Sequence, residues 1–167
     1  MEQLTTANLA HTFPLCNAPR GCGGADAKSR WASETAAHIP HGVLGYIAYV
    51  KDLTHPNGRA VAAVEFLPST LVPYPIPRKD ERSAFITCIY PTKEPDYRHD
   101  VLWRLLADLP SYGYSRVLAI AGRNTPYPNG PVSFFREHGF TEVQVLDTEQ
   151  LPDGIEELAL MELSCQR

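Results

Sequence analysis

Along HDVLWRLLADL (99–109), apolar residues fall at Val101, Leu102, Leu105, Leu106 and Leu109, at spacings of three and four. That period matches one face of an α-helix, and Pro110 and Gly113 close it. Elsewhere the apolar residues run almost unbroken. GVLGYIAYV (42–50) and AVAAVEFL (60–67) are short and rich in strand formers, and KDLTHPNGR between them carries the turn sequence Pro-Asn-Gly. Together they predict an antiparallel hairpin. SAFITCIY (83–90) predicts a third strand, buried on both faces because its apolarity is nearly continuous. RVLAIAG (116–122) follows the helix, and β-α-β order implies parallel strands. GPVSFFREHGF (130–140) predicts a short helix with Pro131 at its first position, where a missing N–H costs nothing. Gly139 is its expected stop at positive φ, and Phe140 begins the next strand. TEVQVLD (141–147) and EELALMEL (156–163) predict the last two strands.

The N-terminal forty residues are less regular. PLCNAPRGCGGADAKSR (14–30) reads mostly as loop, and ADAKSRWASETAAH (25–38) as a helix capped by Asp26, anchored by Trp31 and ended at Pro40-His41-Gly42. PSTLVPYPIPRKDER (68–82) holds four prolines and reads as loop or edge. The expected order is helix, hairpin, strand, helix, strand, helix, strand, strand. This is an α/β chain with a mixed sheet flanked by helices, in one domain over 1–167. An irregular or helical segment occupies 1–42 and the core 43–163.

Length and charge narrow the function. A chain of 167 residues can bury a core without disulfides or metal. Fifteen basic residues against nineteen acidic, with no like-charge block, argue against nucleic acid as the main partner. No apolar run has the length of a membrane span, and the N-terminus lacks the basic start and apolar core of a secretory leader. Four cysteines are few for a disulfide scaffold, so a reducing cytoplasm is expected.

Three stretches, SAFITCIY, YRHDVLWRLLADLPSYGYSRVLAIAG and GPVSFFREHGF, resemble the GNAT acyltransferase superfamily. With the hairpin before them they cover roughly residues 43–163. The resemblance implies an acetyl group moved from acetyl-CoA to an amine. The pantetheine would lie between two splayed parallel strands and the pyrophosphate on amides at a helix start, where N–H groups and the helix dipole favour an anion. The implied donor-binding residues are Ile89, Tyr90, Arg98, His99, Asp100, Val101, Leu102 and Phe135. Arg98 stands where the family's Arg would be, but the family's glycines are absent: His99, Asp100, Val101, Leu102 and Trp103 fill that window. Asp100 is a candidate cap that would compete with the phosphate.

Acyl transfer needs a base for the amine proton and an acid for the leaving thiolate. Glu65 interrupts AVAAVEFL on the face shared by Val61, Ala63 and Leu67, so it is the candidate base if that face is buried. The family's acid, a tyrosine on the last short helix, is replaced by Phe135, which leaves Tyr90 or Tyr127, or a thiolate that departs without an acid. Phe134 and Phe135 are expected in the core and groove wall. Cys88 reads as a small buried hydrophobe, with acyl-cysteine chemistry a lesser alternative. Cys16, Cys22, His38 and His41 miss the usual zinc spacings, so no metal is expected. Lys79, Asp80, Glu81 and Arg82 read as a solvated turn. The reading is an N-acyltransferase acting on a small-molecule or peptide amine. Its alternative is a catalytically impaired binding or regulatory module on the same fold.

Overall fold

Short apolar runs and one amphipathic stretch become, in a computed structural model, seven strands and three α-helices among the described residues. The structure describes residues 1–15, 24–90, 95–126, 128–151 and 154–165. The elements are β1 (Glu2–Leu4), α1 (Gly24–Ala36), β2 (Gly45–Val50), β3 (Arg59–Pro68), β4 (Ser83–Ile89), α2 (Arg98–Asp108), β5 (Arg116–Gly122), α3 (Val132–Glu137), β6 (Thr141–Leu151) and β7 (Gly154–Ser164). The strands form a mixed sheet in the order β1-β2-β3-β4-β5-β7-β6. By contacts the chain divides into two units, Met1–Phe66 with Ile89–Ala107, and Leu67–Cys88 with Asp108–Arg167.

In the first unit the predicted hairpin is present: β2 and β3 are antiparallel, with Gly45 opposite Glu65 and Ile47 opposite Ala63. A register shift at Ala48/Tyr49 marks a bulge. Gly45 is required where it stands. Its φ is 152°, and a Cβ there would lie 1.9 Å from the Val64 carbonyl oxygen. The strand β1 was not expected from the sequence. It pairs antiparallel with β2, and three residues are too few for alternation to be visible. β3 is buried on both faces: Ala62, Val64 and Phe66 are as enclosed as Val61, Ala63 and Glu65. In α2 the spacing of three and four does what it predicts. Val101, Leu102 and Leu105 are fully buried, each contributing about 1.5–3 kcal/mol, while Trp103 is 61% exposed. The Arg104 guanidinium lies over the Tyr46 ring at 5.6 Å.

In the second unit β4 and β5 are parallel, as the β-α-β order requires. β5 pairs antiparallel with β7, and β7 with β6 in a long hairpin. α3 packs against β5, β6 and β7. Phe134 and Phe135 are buried, and the Phe135 and Phe140 rings meet edge to face at 5.2 Å. Gly139 has φ 84°, the predicted left-handed stop. Two boundaries differ from expectation. Pro131 has extended angles (φ −73°, ψ 157°) and is the N-cap, so the helix begins at Val132. Phe140 donates its N–H to Phe135 and precedes the strand, which starts at Thr141.

The 79–82 stretch is more than a solvated turn. Lys79 Nζ donates to the Val72 carbonyl at 2.6 Å. Asp80 accepts from Ser83 Oγ at 2.7 Å and from the Arg82 N–H at 2.9 Å, and pairs with Arg116. Those bonds, led by the one from Ser83, hold the Asp80 carboxyl below its usual range despite some desolvation. Glu81 and Arg82 are exposed.

Candidate functional site

Within the first unit, the structure brings the two candidate catalytic residues together. Tyr90 follows the last residue of β4, and its N–H donates to the Ala63 carbonyl at 3.0 Å. Its hydroxyl donates to Glu65 Oε1 at 2.6 Å. Both side chains are buried, Glu65 at 5% exposure and Tyr90 at 1%. The position across the hairpin from Glu65 is Gly45, which presents no side chain. The pair joins a carboxylate that can accept a proton to a phenol that can give one. Ile89, next to Tyr90, is also buried.

The start of α2 is organised by a residue the sequence reading passed over. Asp96, not Asp100, takes the opening amide: the Arg98 N–H donates to Asp96 Oδ1 at 3.0 Å. The Arg98 guanidinium also turns back, with Nε 2.9 and 2.8 Å from the two Asp96 oxygens. Burial works against the charged carboxyl, but the Arg98 bonds outweigh it and leave the Asp96 pKa lowered. Asp100 is exposed in the first turn. The Val101 N–H is already committed to the Tyr97 carbonyl at 3.3 Å, and the Val101 and Leu102 side chains belong to the core. Arg98 and His99 are half-buried. An Asp two residues before a helix's first residue is a recognisable capping signal, obscured here by the more prominent Arg98-His99-Asp100.

In the second unit the parallel strands part. Their register runs from Ser83/Arg116 to Ile86/Ala119 and stops there, while β4 continues to Ile89 and β5 to Gly122. Past that point the β5 edge meets its own following loop: Asn129 Nδ2 donates to the Ile120 carbonyl at 3.2 Å, and the Gly122 N–H to the Gly130 carbonyl at 3.2 Å. Phe135, with no exposed surface, lies on α3 beyond this loop.

The remaining candidates are dispersed. Cys88 forms no disulfide and is of intermediate exposure rather than buried. Cys165 forms none either, and burial pushes its thiol up to about 11. His38 is exposed. His41 accepts the Val43 N–H at 3.1 Å and stacks on Phe66, and desolvation lowers its pKa. Cys16, Cys22 and Tyr127 lie outside the described residues. Among the described residues no group of three or more His, Cys, Asp or Glu could hold a metal ion.

The strand order, the α-helix between β4 and β5, and the early end of their pairing define a class that structural comparison identifies. An N-acetyltransferase of Staphylococcus aureus superimposes with a TM-score of 0.68 at 15% identity, over 99% of this chain and 97% of that one. The Salmonella typhimurium protein yncA, solved with its cofactor acetyl-CoA, gives 0.65 at 13% identity, over 99% and 93%. A ribosomal-protein-alanine N-acetyltransferase of Brucella melitensis gives 0.65 at 12% identity, over 98% of each chain. The chain has the fold of the GNAT acetyltransferases. No protein-family model matches it, and no curated protein sequence does.

Proposed function

We propose that the protein transfers an acetyl group from acetyl-CoA to an amine, with Glu65 and Tyr90 as the proton-handling pair. The observation that carries this is the 2.6 Å bond between the Tyr90 hydroxyl and Glu65 in a buried setting. Bound acetyl-CoA would supply the acyl group as an activated thioester. Glu65 would accept the proton released as the amine nitrogen attacks. Tyr90 would then protonate the departing thiolate, and Glu65, which accepts the Tyr90 hydrogen bond, could restore its proton. Ile89, Tyr90 and the α2 start with Arg98, His99 and Asp100 are the proposed donor contacts, with Val101 and Leu102 as core of the same unit. The acceptor is a small-molecule or peptide amine, and the site of action the cytoplasm.

The test is titration of acetyl-CoA by calorimetry, followed by an amine screen for acetyl transfer. Submillimolar binding with turnover supports the proposal. Absence of binding at millimolar acetyl-CoA would remove it.

A second reading has its own observation. Asp96 holds both the Arg98 amide and its guanidinium, the groups a pyrophosphate would use. On that reading the fold serves as a ligand-binding or regulatory module without turnover. Arg98→Ala separates the two: the enzyme weakens for acetyl-CoA by about tenfold, as expected for one charge-assisted contact, and the module is unaffected.

A further inference from the structure

EELALMEL places two glutamates at the start of β7, and only one of them is spent on the surface. Glu157 is half-exposed and pairs with Arg123 Nε at 3.0 Å. Glu156 has no exposed surface at all. Its Oε1 accepts the N–H groups of Arg123 at 2.7 Å, Asn124 at 2.8 Å and Glu157 at 3.0 Å, the Arg123 N–H also reaching the Glu157 carbonyl at 3.1 Å. Thr125 adds its amide and its hydroxyl. Oε2 has no partner among the described residues. A buried carboxylate costs several kcal/mol unless it is well bonded, so such a residue persists in a strand where something depends on it.

What depends on it is the loop that leaves β5. Residues 123–125 are the exit of that loop, and Asn129 and Gly130 are its return. The return bonds the Ile120 carbonyl and the Gly122 N–H, which lie on the β5 edge just past the last β4 pair. The loop is thereby held at both its exit and its return. Arg123 reinforces the exit from outside, with its side chain on Glu142 and Glu157.

We infer that Glu156 is a positioning residue for acyl-donor binding: it holds Arg123, Asn124 and Thr125 where the chain leaves β5, and so sets the β5 side of the gap past the last β4–β5 pair. This rests on the donor reading above. The carboxyl touches no reacting atom in this role and acts through the amides it holds. Burial works against its charge, but the Asn124, Thr125 and Arg123 bonds outweigh that and lower its pKa, so it is an acceptor at neutral pH.

The experiment uses full-length wild type, Glu156→Gln, Glu156→Ala and Asn129→Ala. The readouts are the acetyl-CoA dissociation constant by calorimetry and amide exchange at Gly122, Arg123 and Asn124. Gln keeps the accepting oxygen, so Glu156→Gln is expected within about threefold of wild type in both readouts, as an intact hydrogen-bond set implies. Glu156→Ala is expected to weaken acetyl-CoA by about tenfold or more, since small misplacements of a binding wall are costly, and to speed exchange most at Asn124, because the Arg123 N–H keeps the Glu157 carbonyl and the Gly122 N–H the Gly130 carbonyl. Should that variant not fold, Asn129→Ala decides: it leaves Glu156 and its amides intact and is expected to weaken the donor and speed exchange at Gly122. Unchanged donor affinity in Asn129→Ala and Glu156→Ala, or Glu156→Gln as poor as Glu156→Ala, overturns the inference. Wild type that binds no acetyl-CoA at all overturns the donor reading instead, and the exchange data then still report whether Glu156 holds the loop.

Discussion

Glu65 stands in an apolar strand because Tyr90 gives it a hydrogen bond. Without that bond a buried carboxyl would carry a desolvation penalty of several kcal/mol. Tyr90→Phe removes the donor and leaves the volume, so it is expected to cost about 1.5–3 kcal/mol of stability, read from the urea midpoint. On the proposed mechanism Glu65→Gln keeps the shape and loses the base, so the loss is expected in kcat, by about a hundredfold or more, with the fold intact. Sequence alone singled out Glu65 as the break in AVAAVEFL and offered Tyr90, beside Tyr127, as an acid. Their 2.6 Å bond was not readable there, because it joins positions 25 residues apart through strand pairing. Glu156 was less visible still. In EELALMEL the second glutamate looks the same as the first, and only the turn of the chain after β5 makes one an interior ligand of amides.

At the scale of elements, period and turn chemistry carried the reading where segments are long or strongly marked. α2, β3, β4 and β5 follow the pattern of apolar residues to within a residue, while β2 starts at Gly45, three residues into GVLGYIAYV. Short elements did not, since three residues of β1 hold no period and Pro131 fits an N-cap as well as a first helical position. Two glycines test how much backbone freedom the elements use. A Cβ at Gly45 would sit within 1.9 Å of a backbone oxygen, whereas at Gly139 it would meet only Leu163 Cδ1 at 3.5 Å. Gly139→Ala is therefore expected to cost about 1–2 kcal/mol, the penalty of the left-handed conformation. Gly45→Ala is expected to cost more than about 3 kcal/mol, because strand pairing itself must shift. Chemical denaturation of the two variants side by side checks the order.

For the whole molecule, charge and titration set the working range. The net charge is −4 and the isoelectric point about 5.8, so solubility is expected to be lowest near pH 5.8 and to rise on either side, as precipitation curves would show. Asp80, Asp96 and Glu156 all have lowered pKa values in the fold. A depressed carboxyl gives stability that is fully present above its unfolded value and is lost as pH falls through the folded one. Stability should therefore decline from about pH 4.5 downward, the unfolded value for Glu156, and Glu156→Gln should show a shallower decline because Gln does not titrate. Urea midpoints from pH 6 to 3 measure both slopes. Among the described residues no helix is long and apolar enough to cross a membrane.

By itself the sequence determined the kinds of element, their order, the parallel sense of β4 and β5, and thereby the resemblance to the GNAT fold. These follow from local periods and turns, which a chain carries in its own neighbours. Only the tertiary structure decided where β4 and β5 stop pairing and which carboxyl of Glu156 and Glu157 turns inward. Each of those is settled by a hydrogen bond whose partner is set by how the chain turns in space, and no spacing along the chain encodes which donor arrives.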